Sequence, residues 1–265
     1  MSNHESPFKK NALKGMRALV CGASRGIGRA AAKAFAEAGA SVIACSRDEY
    51  ALNQLVDALP GTGHQAVSMD LEKLEVVEML ITKLLKDGPI QILVNNAAGP
   101  PGGPLLENKI EDFEAPFKRH LHAAHTITRL LAPQMEQSGM GRVVNIISTS
   151  VKEPIPNIGL SNTLRGAMAS WSKTLSRELA PCITINNILP GFTNTDRLGS
   201  LADSIHQKTG KSIADIHEAW MSQVPIERLI QPEETADAIV FLCLPGSGGI
   251  RGVSLEVDGG RLRSI

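Results

Sequence analysis

Short apolar, β-branched runs alternate with longer amphipathic stretches along almost the whole chain. The short runs fall at 17–21, 41–45, 65–69, 90–95, 142–148, 183–189 and 253–257. Several are apolar nearly throughout, the pattern of strands covered on both faces, as in a parallel sheet. The longer stretches, near 27–38, 47–58, 72–86, 111–137, 160–179 and 232–243, space their apolar residues as helices do. Alternation on this scale predicts an α/β fold: an open, doubly wound parallel sheet of about seven strands, with helices on both faces. A ligand then lies beyond the carboxyl ends of the strands. No repeat, linker or low-complexity tract divides the chain, so residues 1–265 read as one domain.

The stretch from Gly191 to Pro225 breaks the rhythm. It carries Leu198, Leu201, Ile205, Ile213, Ile216 and Trp220 at partly helical spacing. Connections this long are commonly functional, and residues 192–225 read as a lid over a substrate pocket; the plainer reading is a surface helix pair. Trp220 is the better tryptophan for lining that pocket, and Trp171 reads as packing.

Charge narrows the partners. Lysine plus arginine and aspartate plus glutamate number 27 each. A balance of zero removes the broad electrostatic case for nucleic acid or an anionic membrane, yet allows a small anion held by a few placed cations. No run reaches membrane-spanning length, and the first fifteen residues are polar with no apolar signal core. A cytoplasmic protein with neither a membrane nor a nucleic-acid partner is expected. Cys21, Cys45, Cys182 and Cys243 lie far apart among apolar neighbours and form no CxxC pair. They read as buried thiols, and no metal site is expected.

The first strand runs into Gly22-Ala23-Ser24-Arg25-Gly26-Ile27-Gly28 and then an alanine-rich helix, with Ile27, Ala31, Ala34, Phe35 and Ala38 on one face. Glycines let the backbone turn sharply and let a pyrophosphate approach the helix N-terminus, where unpaired N–H groups favour it. In this context the turn reads as a nicotinamide-dinucleotide site. An acid at the tip of the second strand would bind the ribose hydroxyl of NAD, whereas an arginine suits a 2′-phosphate. That strand ends Cys45-Ser46-Arg47, and Arg25 adds a second cation, so NADP(H) is favoured over NAD(H). Asp48 keeps NAD open, because a slight register shift could bring it to the ribose.

These residues resemble those of the short-chain dehydrogenase/reductase family. Cys21 to Gly28 looks like its TGxxxGxG turn with cysteine for threonine, and Asn95-Asn96-Ala97-Ala98-Gly99 is similar to its NNAG segment with one extra alanine. Pro190-Gly191-Phe192-Thr193-Asn194-Thr195 resembles its PGxxxT segment, where the threonine meets the nicotinamide carboxamide. The ending, Pro232-Glu233-Glu234 through Val257-Asp258-Gly259-Gly260, is similar to the β-ketoacyl carrier-protein reductase branch. The resemblance implies a Rossmann-type sheet. It places Asp70 at the adenine and Asn95 as a brace of the central strand. It also implies pairing through the helices near 111–137 and 160–179 into a homodimer or homotetramer.

For the active site the resemblance is incomplete. The family combines asparagine, serine, and the tyrosine and lysine of YxxxK. Ser148 holds the serine position, but Ser161 stands for tyrosine, Arg165 for lysine and His120 for asparagine. The single tyrosine, Tyr50, follows the second strand. Reducing a carbonyl needs a hydride from the nicotinamide and a proton for the developing alkoxide. Ser161 is a weak acid and short, and the charge of Arg165 does not titrate usefully, although it can hold ribose hydroxyls. Histidine has a suitable pKa; His120, His122 and His125 lie on one segment, with His120 turned away from the other two. They read equally as a helix–helix contact. Lys152 and Glu153 follow Ser148, either as groups acting on substrate or as a solvated loop pair. Three functions fit: an NADP(H)-dependent reductase of a carbonyl, such as a 3-oxoacyl thioester; an NADP(H)-binding sensor or scaffold with impaired catalysis; or, more weakly, a dehydratase or isomerase.

Overall fold

The computed structural model describes residues 7–264, so the first part of the polar N-terminal stretch lies outside the described residues. Seven parallel strands form one sheet in the order β3-β2-β1-β4-β5-β6-β7: β1 (Arg17–Cys21), β2 (Ser41–Ser46), β3 (Gln65–Ser68), β4 (Ile92–Asn95), β5 (Gly141–Ile146), β6 (Ile183–Pro190) and β7 (Ser254–Val257). The chain winds outward from β1 to β3, then returns to lay β4 on the other side of β1. The crevice at this reversal opens between the carboxyl ends of β1 and β4.

Alternation along each strand feeds two cores. Ala18 and Val20 of β1 join the layer under α1 (Gly26–Glu37), α2 (Glu49–Asp57) and α9 (Pro232–Cys243). Leu19 and Cys21 face the other layer, packed under α3 (Leu74–Leu84) and α5 (Ala123–Gln137). Fully buried Phe35, Leu52 and Leu55 on one side, and Ile81, Ile127 and Leu131 on the other, fill these layers. Each such side chain contributes about 1.5–3 kcal/mol. The alanine face expected on α1 is wider than its periodicity suggests: Ala30, Ala32 and Ala36 are buried too, because α9 packs on the helix's outer side.

Between β4, β5, β6 and β7 runs a ladder of polar side chains. Asn95 Nδ2 donates to Asn145 Oδ1 (2.8 Å), Asn145 Nδ2 to Asn187 Oδ1 (3.0 Å), and Asn187 Nδ2 to Ser254 Oγ (3.1 Å). The bracing expected of Asn95 is therefore a chain of amides crossing four strands. All three asparagines are buried, and each amide satisfies its neighbour.

Two elements depart from the sequence pattern. The stretch 111–137 is not one helix: α4 (Glu111–Phe117) passes into a π-helical turn (Lys118–His122) before α5. Pro116 sits inside α4 and lacks an N–H for the helical ladder. The wider winding that follows is of the kind that marks functional sites. The stretch after Gly191 folds as a helix pair, α7 (Asp196–Thr209) and α8 (Ile213–Met221). Ala202, Ile216 and Trp220 are its buried centre, with Phe192, Leu198 and Leu201 around them. α6 (Gly159–Glu178) completes the helices. Of the cysteines, Cys21, Cys45 and Cys243 are buried as expected, while Cys182 is only half-buried.

Candidate active site

A cleft of about 630 Å³ opens along the carboxyl ends of the strands. Its first wall is the glycine turn. Gly22 and Gly26 adopt positive φ angles of 63° and 53°, a region open to glycine. At Gly28 the constraint is space: an added Cβ would lie 2.1 Å from the Gly22 carbonyl oxygen and 2.7 Å from Asn96 Nδ2. Gly28 therefore faces the turn rather than the cleft, and it lets α1 seat against β1. Asn96 Nδ2 donates to the Gly22 carbonyl (3.2 Å), tying the loop after β4 to the turn.

α1 begins without a side-chain cap on its N-terminal N–H groups and with no acid in its first turn. Ser24, Arg25, Gly26 and Ile27 line the cleft there. Backbone donors and a helix dipole unopposed by protein acids suit a pyrophosphate. At the tip of β2, Ser46 and the exposed Arg47 line the same cleft. Asp48 also borders it, but Asp48 Oδ1 accepts the Ala51 N–H at 3.0 Å and caps α2. Asp70 lines the cleft beyond β3, where its Oδ1 accepts the Glu72 N–H. These residues fit an extended dinucleotide.

The other end gathers the residues that the resemblance marks for chemistry. The strand expected to reach Ser148 stops at Ile146, because Ser148 begins a 3₁₀ turn, its Oγ accepting the Ser150 N–H at 3.1 Å. Ser148, Ser161 and Arg165 all line the cleft, as do Ala97, Pro190, Gly191, Thr193 and Thr195. Thr193 and Thr195 rest their hydroxyls on the carbonyls of Gly191 and Thr193. Arg165 is buried and donates to the Ile146 carbonyl at 2.9 Å. Burial, and then the nearby charge of Arg197, push its guanidinium down to about 10; it remains a cation at neutral pH.

His120 behaves differently from expectation. The π-turn swings it inward while His122 and His125 stay exposed, but it does not line the main cleft. Its Nε2 lies 2.9 Å from the Ala98 carbonyl oxygen and its Nδ1 3.4 Å from Arg165 Nη1. A carbonyl only accepts and a guanidinium only donates, so the ring carries its proton on Nε2 and accepts on Nδ1. Burial and the Arg165 charge hold its pKa well below the ordinary histidine value. It is a neutral ring with both nitrogens occupied, a poor proton donor to substrate. His125 Nδ1 accepts from Trp171 Nε1 at 3.3 Å, which fits the packing reading of Trp171.

Three further expectations change. Trp220 does not line the cleft; it stacks on Phe192, which does, with centroids 5.3 Å apart. Lys152 pairs with Glu256 and does not line the cleft. Glu153 Oε1 accepts the N–H groups of Arg263 (2.9 Å) and Ser264 (3.2 Å), holding the C-terminal tail against the loop after β5. That anchoring brings Arg261, which the sequence did not single out, into the cleft wall. Arg119 and Arg197 arrive there equally unannounced. Arg119 is paired to Glu72, and Arg197 donates to the Pro100 carbonyl at 2.7 Å. The one local signal was the position of Arg197, just past the PGxxxT-like segment.

Comparison with known proteins agrees with this architecture. The family described as "Enoyl-(Acyl carrier protein) reductase" matches residues 22–261. The 7alpha-hydroxysteroid dehydrogenase of Escherichia coli is 30% identical over 261 residues, covering 96% of each chain. L-sorbose reductase from Gluconobacter frateurii, solved with NADPH and L-sorbose, superposes with a TM-score of 0.90 at 27% identity, covering 97% of this chain and 100% of that one. The 3-ketoacyl-(acyl-carrier-protein) reductase from Brucella melitensis, solved with NADH, gives 0.83 at 30% identity, covering 94% of this chain and 99% of that one. With a family match that runs from the glycine turn to the C-terminal tail, and relatives that align over nearly their whole length, the chain belongs to the short-chain dehydrogenase/reductase family of oxidoreductases.

Proposed function

We propose that this protein is an NADP(H)-dependent reductase of a ketone or aldehyde carbonyl, working with an altered acid. The observation that carries the reading is the placement of Ser148 and the buried cation Arg165 in the same cleft as the uncapped start of α1. NADP(H) is supported by Arg47 at the tip of β2 and by the use of Asp48 as a helix cap. The nicotinamide, when bound, supplies the hydride. Ser148 donates its hydroxyl hydrogen to the carbonyl oxygen, and Arg165 offsets the negative charge that grows there. His120 acts through Arg165, as a neutral acceptor that steadies the guanidinium. The proton comes from water, relayed past Ser161, whose hydroxyl lines the cleft and makes no hydrogen bond among the described residues. α7 and α8 form the lid, with Arg197 reaching from α7 to Pro100 on the opposite wall.

The test is NADPH oxidation by the purified protein with aldehydes, ketones and 3-oxoacyl thioesters, beside a fluorescence titration of NADPH. Ser148→Ala should lower kcat by roughly a hundredfold to a thousandfold, the cost of removing one preorganised donor. Arg47→Leu should weaken NADPH roughly tenfold to a hundredfold, the loss of one charge-assisted contact, and leave NADH nearly unaffected. Tight NADPH binding with no turnover on any carbonyl would favour the sensor or scaffold reading, which the loss of the tyrosine and lysine supports.

A further inference from the structure

The cleft is unevenly charged. At its reaction end stand three guanidinium groups, those of Arg165, Arg197 and Arg261. Among the described residues none of the three forms an ion pair with a carboxylate. Asp196, the acid bordering this end, heads α7 and is paired to none of them. Arg165 and Arg197 flank one point of backbone: a Cβ built on Gly99 would lie 3.6 Å from Arg165 Nη2 and 3.8 Å from Arg197 Nη2. Cations held this close repel, and such an arrangement is retained where an anion is to be bound.

Arg261 stands beside the loop that carries Ser148. Its Nη1 donates to Thr149 Oγ1 at 3.1 Å, beside Ser148, and its guanidinium lies over the Phe192 ring at 5.0 Å from the centroid. Its Nε is buried and has no hydrogen-bond partner among the described residues. That nitrogen is closed to solvent, so the terminal nitrogens are the ones left to meet a ligand, and a planar guanidinium fork fits a carboxylate edge. Aromatic stacking and the Thr149 contact hold the fork in one orientation, so little entropy is lost on binding. Around it, Ile155, Ile158, Leu198 and Leu201 line the cleft with aliphatic surface.

We infer that the substrate of this site is an aliphatic oxo acid, its carbonyl oxygen at Ser148 and its carboxylate held by Arg261, with Arg165 and Arg197 adding to the positive field. The inference rests on the carbonyl-reductase reading and narrows it from neutral carbonyls and thioesters to free acids.

The experiment compares oxo acids of increasing chain length with their methyl esters as substrates of the full chain, by NADPH oxidation. Calorimetry then measures binding of the matching saturated carboxylates to the protein in the presence of NADP⁺. The acids should exceed their esters in kcat/KM by roughly tenfold to a hundredfold, the worth of a charge-assisted contact. In Arg261→Met that ratio should collapse toward one, through KM for the acids, while Arg261→Lys keeps part of it. The melting temperature of each variant checks that it is folded. Esters turned over as well as acids, or a ratio unchanged by Arg261→Met, would overturn the inference and leave the reductase intact. Saturated acids bound in an Arg261-dependent way without turnover of any carbonyl would uphold the anion site and overturn the reductase. Neither turnover nor carboxylate binding would overturn both.

Discussion

His120 offers a test of the buried site that needs no substrate. Both ring nitrogens are committed, to the Ala98 carbonyl and the Arg165 guanidinium, and the ring is buried. Burial first, and then the Arg165 charge, depress its folded-state pKa well below the ordinary histidine value of 6.5. The unfolded chain therefore takes up a proton at this residue as pH falls through 6.5, while the folded protein does not. Stability from the neutral ring is fully present above 6.5 and is lost as pH falls below it, until the folded pKa is reached. The slope approaches about 1.4 kcal/mol per pH unit below the unfolded value, so the loss between about pH 7.5 and about pH 5.5 is on the order of 1 kcal/mol. The informative variant is His120→Gln, whose amide can donate to Ala98 and accept from Arg165 without titrating. Urea unfolding at a series of pH values, for both proteins, isolates the residue, because the other histidines contribute alike to each. The wild-type curve should fall more steeply toward acid, by about that margin. Parallel curves would overturn this account, since the folded ring would then gain its proton as readily as the unfolded one.

Other substitutions probe the frame that positions the site. Gly28→Ala puts a methyl 2.1 Å from the Gly22 carbonyl oxygen; the backbone must move, at a cost of roughly 1–3 kcal/mol, with NADPH affinity lost alongside. Thermal melting with and without NADPH reads both effects, and an unchanged melting temperature would show that the turn gives way freely. Asn145→Ala removes the middle of the amide ladder and leaves Asn95 Nδ2 and Asn187 Oδ1 buried without that partner. Unsatisfied buried groups cost about 1–3 kcal/mol each, so the urea midpoint should drop by several kcal/mol in equivalent free energy, and a drop under about 1 kcal/mol would contradict the ladder.

Much of the architecture is legible in local pattern. Apolar runs of strand length, helical spacing between them and glycines after the first strand specify the parallel sheet and the dinucleotide turn. The family resemblance, rather than local pattern, points to Ser148, Ser161 and Arg165, and all three line the cleft. Local pattern fails where a residue's role depends on winding or on distant partners. Helical spacing sets His120 apart from His122 and His125, but its partner, Arg165, comes from a distant helix and turns it to a supporting place behind the cleft. Asn95, Asn145 and Asn187 form a ladder only because strand register sets them side by side, and register is fixed by packing across the sheet. Arg261 reaches the cleft because Glu153 binds the backbone of the tail that carries it. Periodicity and glycine placement thus suffice for a sheet with a cofactor-binding edge. Which charges that edge presents to a substrate is settled only in three dimensions, because guanidinium groups far apart in the chain meet when helix, loop and tail pack together.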